Sequence, residues 1–114
     1  MDEIIVDIYS FRKDAGLDYD TLKELYFIFA EEIIQEKNEI NTYLEQNKAE
    51  ELLPVVHKMK GIASSYRTPV ILEIAVGLES KLKNKDFDTL EPVINQLNKA
   101  IAQVADAIAL YFQN

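Results

Sequence analysis

His57 is the one histidine in 114 residues, and it opens the run His57-Lys58-Met59-Lys60-Gly61. Neutral imidazole is a nucleophile near pH 7 and can hold a transferred group as a covalent intermediate. Its surroundings differ from the rest of the chain. Residues 1–56 carry 5 Lys/Arg against 14 Asp/Glu, residues 57–85 carry 6 against 2, and residues 86–114 carry 1 against 4, in a chain of net charge −8. A nucleophile inside the basic stretch of an acidic chain points to an anionic group, such as a phosphoryl. Phosphoryl transfer depends mostly on positioning and charge neutralisation. Lys60, three residues on, is within reach of a group on His57 and can pair with its oxygens. Gly61, four residues on, costs a helix about 0.5–1 kcal/mol relative to alanine, and what it offers in return is clearance for a partner's loop. Taken singly, each has a plainer explanation: a solvated histidine, a solvated lysine, a glycine at a close helix contact.

These spacings require a helix, and the apolar pattern is helical nearly throughout. Ile4, Ile8 and Phe11 predict a short first helix within residues 1–16, ended by Gly16. Asp18 or Asp20 caps a long second helix to about Asn47, with Leu22, Tyr26, Phe29, Ile33, Ile40 and Tyr43 as its buried stripe. A third helix runs from about Lys48 to Tyr66 around Leu52, Val56, Met59, Ala63 and Tyr66. Pro54 lies inside it and demands either a late start, near Glu50 or Glu51, or a kink; Pro92 raises a milder form of the same problem. Thr68-Pro69 reads as cap and first-turn proline of a fourth helix that buries Val70, Ile71, Ile74, Leu78 and Leu82 and ends near Lys85. Asp88 and Glu91 have the spacing of a capping box for the fifth. There Leu90, Ile94, Leu97, Ile101, Val104, Ile108 and Tyr111 form the seam of an antiparallel bundle. The expectation is an all-α chain with one domain over residues 1–114. It comprises an antiparallel up-down-up-down four-helix bundle over residues 20–112 and an additional short N-terminal helix over residues 1–16. With Val56 and Met59 turned to the core, His57, Lys60, Gly61 and Ser64 fall on a solvent flank.

Composition narrows the function. There is no cysteine, which excludes disulfides and thiol chemistry. One histidine without Glu-x-x-His pairs predicts no metal site. Three scattered glycines leave no Gly-rich nucleotide lid, so no ATP-dependent kinase activity is expected of this chain. The acidic balance argues against nucleic acid. Met1-Asp2-Glu3 is not a basic leader and no long apolar run follows, so neither a signal peptide nor a membrane span is expected, and the cytoplasm is the expected place.

The run from His57 through Lys60-Gly61-Ile62-Ala63-Ser64-Ser65 to Tyr66 resembles the H-x-L-K-G pattern of histidine-containing phosphotransfer (HPt) domains. The likeness continues through Ile71 and Ile74 to Leu78-Glu79, then Lys83 and Asp86, and covers about residues 20–112. The family fold is a four-helix bundle with an accessory N-terminal helix. The resemblance implies that His57 carries a phosphoryl group between receiver-domain aspartates in a multistep two-component phosphorelay. The implied partners are receiver domains of response regulators or a hybrid histidine kinase. The receiver brings Mg²⁺ and most of the catalysis, and this chain, expected to be a monomer, holds no cofactor. Lys60 would steady the phosphoryl group, and Glu79 would hold the second imidazole nitrogen from the next helix. Leu53, Lys58, Gly61 and Ser64, with Lys83 from the next helix, would form the docking flank. The chain departs from the family at Arg67-Thr68, where Gly-Ala is usual, at Ile62 and at Met59. Arg67-Thr68-Pro69 is also similar to the H-box of kinase dimerisation domains, but Ser64 stands where that box needs its histidine. The other reading is a helical interaction module without phosphotransfer, in which His57 is incidental and Leu53 and Pro54 form an apolar patch.

Overall fold

The computed structural model describes residues 4–113; Met1-Asp2-Glu3, read above for the absence of a leader, lie outside the described residues. Helix α1 spans Ile8–Ala15, α2 Tyr19–Glu45, α3 Leu52–Ser65, α4 Pro69–Lys83 and α5 Leu90–Tyr111, and a single 3₁₀ turn, Ala49–Glu51, leads into α3. No strand occurs among the described residues, so the chain is all-α. Helix α2 packs on α3 and α5, and α4 packs on the same two. The four long helices therefore close into an antiparallel ring. At about 1.5 Å per residue, the 27 residues of α2 account for most of the 43 Å long axis.

The expected stripes meet in the centre. Leu22, Tyr26, Phe29, Ile33 and Ile40 bury against Leu52, Val56, Met59 and Ala63, against Ile71, Leu78 and Leu82, and against the seam of α5 from Leu90 to Ile108. Tyr43, Tyr66, Val70 and Ile74, expected in the core, are only partly buried against it. Tyr111 is exposed and Phe112 is buried in its place. Helix α5 ends there, and the last apolar step is four residues from Ile108 rather than three. This turns Phe112 onto the rings of Tyr19, Tyr26 and Phe27.

Helix starts correct the sequence reading in three places and, at Pro54, decide for the late start over the kink. Ile4 is exposed and precedes α1. Asp7 caps that helix by accepting from Ser10 N–H at 3.2 Å, while its own N–H donates to the Arg67 carbonyl at 2.9 Å. The Asp88–Glu91 capping box does not form: Thr89 is the N-cap, which puts Glu91 at the second helical position. Thr68 is the N-cap of α4, but its buried hydroxyl donates backwards to the Ala63 carbonyl at 3.1 Å and closes α3 instead. Pro54 is the third residue of α3, where a backbone N–H would have no partner inside the helix, so no bond is lost and no kink is needed. Pro92 holds the same position in α5.

Helix α1 ends, as expected, at Gly16 in the left-handed region (φ 66°), but the next three helix ends are made without glycine. Asn47, Arg67 and Lys85 adopt φ of 57°, 60° and 55° just past α2, α3 and α4. At each, the next residue's N–H reaches back to Tyr43, Ala63 or Lys81, the paired pattern of a Schellman turn. Helix α1 braces the middle one. Phe11 stacks on Tyr66 with centroids 5.2 Å apart, and Asp14 accepts from Arg67 at 2.8 Å. The C-terminal end of α3 is thereby fixed from outside the ring.

Candidate functional site

Helix α3 gives Val56, Met59 and Ala63 to the core, which turns His57 outward. Its side chain is 68% exposed at mid-helix, as the spacing requires. Helix α4 commits Ala75, Leu78 and Leu82 to the core, and this aims the neighbouring Glu79 at α3. The Glu79 carboxylate is 7% exposed and fully engaged. Its Oε2 lies 2.6 Å from His57 Nδ1, its Oε1 accepts from Lys60 Nζ at 2.7 Å, and Lys83 Nζ stands 3.7 Å from that same Oε1. Hydrogen bonds from Lys60 and then His57 outweigh burial and draw the Glu79 carboxyl down to about 2. Glu79 is thus an acceptor at any pH near neutrality. In the neutral imidazole the proton therefore sits on Nδ1, and Nε2 keeps a free lone pair facing solvent.

The remaining residues of the expected site separate into two groups. Lys60 sits on the Glu79 carboxylate, rather than standing free beside Nε2. Lys83, 60% exposed, joins this cluster from α4. Lys58 turns the other way, toward α2, with Nζ 3.6 Å from Glu36 Oε2. Gly61 and Ser64 are exposed on the His57 flank, whereas Leu53 is half-buried against the core and offers only part of its side chain. A Cβ on Gly61 would meet nothing within 4 Å, so no contact inside this chain requires the glycine.

Glu36 was not singled out from the sequence. It is 3% exposed, and neither carboxylate oxygen receives a hydrogen bond from the described residues. Burial pushes it up to about 7 despite the nearby Lys58 ammonium. A signal for it existed: the stripe Leu22, Tyr26, Phe29, Ile33 steps by four and three, and its next step falls on Glu36 before resuming at Ile40. Among the described residues no group of three or more His, Cys, Asp or Glu could hold a metal ion, and no helix is long and apolar enough to cross a membrane.

An outward imidazole with an anchored Nδ1, a lysine and a glycine one turn on, and a ring of four helices coincide with one further finding. The family model of the Hpt domain matches residues 24–107. The chain belongs to the Hpt domain family. Hpt domains are phosphocarriers of two-component signal transduction rather than kinases, and they work with receiver and kinase components. The matched stretch contains every residue of the Glu79 cluster and leaves out α1. No curated protein and no solved structure matches the chain. In this Hpt domain, α1 nevertheless belongs to the support of the site, because it holds the Arg67 turn that closes α3.

Proposed function

We propose that His57 Nε2 is the phospho-acceptor of this Hpt domain and that the chain relays a phosphoryl group between receiver aspartates in a multistep phosphorelay. The observation that carries this reading is the 2.6 Å contact between Nδ1 and Glu79. It leaves Nε2 as the one nucleophilic nitrogen, on the exposed side of the ring.

The step balances without a proton in flight. The Nε2 lone pair attacks phosphorus of an aspartyl phosphate, the N–P bond forms as the P–O bond breaks, and the donor leaves as a carboxylate. The ring keeps its Nδ1 proton, becomes cationic, and shares that proton's hydrogen bond with ionised Glu79. In the onward step a carboxylate oxygen of the next receiver attacks phosphorus, and neutral imidazole leaves with the N–P pair. Glu79 thus keeps the leaving group neutral in one direction and stabilises the cationic ring in the other. Lys60 supplies positive charge beside the phosphoryl group, and the receiver supplies Mg²⁺. The exposed flank of His57, Gly61 and Ser64, the exposed part of Leu53, and the rim lysines Lys58 and Lys83 form the docking surface; a basic rim suits the carboxylates of a receiver site. The chain acts as a cytoplasmic monomer that binds no cofactor of its own.

Incubation with a phosphorylated receiver domain tests this. The expected result is acid-labile, base-stable label on the wild-type chain and none on His57→Gln, with the helical circular dichroism of the two unchanged. Label retained in His57→Gln, or none on the wild type with any receiver of a two-component system, overturns the proposal.

A further inference from the structure

Glu79 Oε1 is shared between two cations at unequal distance. Lys60 donates to it at 2.7 Å, while Lys83 waits at 3.7 Å, beyond hydrogen-bond reach. Lys83 follows Glu79 by one turn of α4. It borders an open groove of about 300 Å³ lined by Val76, Glu79, Ser80, Lys83 and Asn84, which leaves its ammonium room to advance the missing ~1 Å. In the resting site a second lysine is surplus, because Lys60 and the imidazole N–H already satisfy the carboxylate.

The surplus disappears once His57 is phosphorylated. Lys60 then has two claimants, the Glu79 carboxylate and the phosphoryl oxygens on Nε2. The cationic ring keeps Oε2, but Oε1 of a buried carboxylate left without its donor is unfavourable. The charges agree: Lys60, Lys83 and Glu79 with a neutral imidazole leave one net positive charge. A dianionic phosphoryl group on a cationic ring brings the cluster to neutrality, and without Lys83 it would be left one charge negative.

Resting on the phosphohistidine reading above, we propose that Lys83 is a positioning residue that takes over Glu79 Oε1 when phosphorylation of His57 draws Lys60 away to the phosphoryl oxygens. Lys83 does not touch the phosphoryl group; it acts by releasing Lys60. The exchange trades one ion pair for another, and no covalent bond or proton moves.

The test uses the full chain and phosphoramidate, a small donor that passes its phosphoryl group to imidazole with loss of ammonia and needs no receiver, so docking does not enter. The lifetime of the phosphohistidine is followed in wild type, Lys83→Met, Lys83→Arg, Lys60→Met and the double variant Lys60→Met/Lys83→Met. Lys83→Met is expected to shorten the lifetime by about fivefold, the size of one half-exposed ion pair, and Lys83→Arg to restore it. In the Lys60→Met background the loss of Lys83 is expected to shorten the lifetime clearly less than it does in the presence of Lys60, since no lysine remains to be released and only the general charge is lost. Before phosphorylation, Lys83→Met should keep the imidazole ¹⁵N signature of the Nδ1–H tautomer. Equal lifetimes in wild type and Lys83→Met, with His57 labelled in both, overturn the exchange and leave the phosphocarrier reading standing. Independent, multiplicative losses from the two lysines also overturn it, since they would mean that Lys83 acts on the phosphoryl group directly. Failure of wild-type His57 to accept phosphate from phosphoramidate or from any phosphorylated receiver brings down the reading and the exchange together.

Discussion

At the scale of single residues, the decisive partnership is between an exposed base and a buried acid. His57 is solvated while Glu79 is not, and the 2.6 Å contact transfers the constraint of the second to the first. The ring is held by one nitrogen and offers the other. Glu79→Gln keeps the shape and a hydrogen bond but removes the charge that faces both the ring and Lys60. Transfer is expected to slow by about tenfold, and ¹⁵N spectra of the imidazole should show a mixture of tautomers. An unchanged rate with a pure Nδ1–H tautomer would contradict the role given to the carboxylate. His57, Lys60 and Gly61 were legible because their spacing is local to one helix. The Lys60–Glu79 pairing was not, since it needs the rotation of α4 against α3, which no single stripe specifies.

At the scale of elements, α3 and its two ends carry the site. Gly61 sits one turn from His57 with empty space where a Cβ would stand. Gly61→Ala is expected to raise helix stability by about 0.5–1 kcal/mol, read as a higher thermal midpoint, and to weaken receiver binding or slow transfer because the methyl meets the partner. Lower stability with intact transfer would place the glycine's role inside the fold. The apolar stripes of α2, α3 and α5 were readable because a 3.6-residue period survives any detail of capping. The boundaries were less so. Asn47, Arg67 and Lys85 stop three helices in a left-handed conformation that glycine usually announces. The Asp88–Glu91 spacing suggested a cap that Thr89 occupies instead. Arg67 shows why: its conformation is bought by the Asp7 and Asp14 contacts from α1, which are distant in sequence.

At the scale of the whole molecule, two buried carboxylates give stability opposite slopes with pH. Glu79 is drawn from its ordinary 4.5 to about 2 in the folded chain, so its contribution is present above pH 4.5 and is lost as pH falls from there toward 2. Glu36 is pushed from 4.5 to about 7, so its contribution is full below pH 4.5 and is lost as pH rises through 7. Glu36→Gln removes the second slope alone. In urea unfolding, the stability difference between this variant and wild type is expected to grow in the variant's favour from pH 5 to pH 8 and then to level off. A difference that stays constant over that range would mean that Glu36 does not titrate there. Because Glu36 faces Lys58 on the site helix, this titration also changes the charge beside Lys58.

The most direct measurement is the position of the phosphoryl group on the ring. The full chain, carrying ¹⁵N-labelled histidine, is phosphorylated by a receiver domain, and ³¹P–¹⁵N coupling is recorded before hydrolysis. Coupling to Nε2, with the Nδ1 proton still present and hydrogen-bonded, is the expected result. Coupling to Nδ1, or a phosphorylated chain with no phosphohistidine signal, would contradict a site in which Glu79 holds one nitrogen so that the other can carry the phosphoryl group.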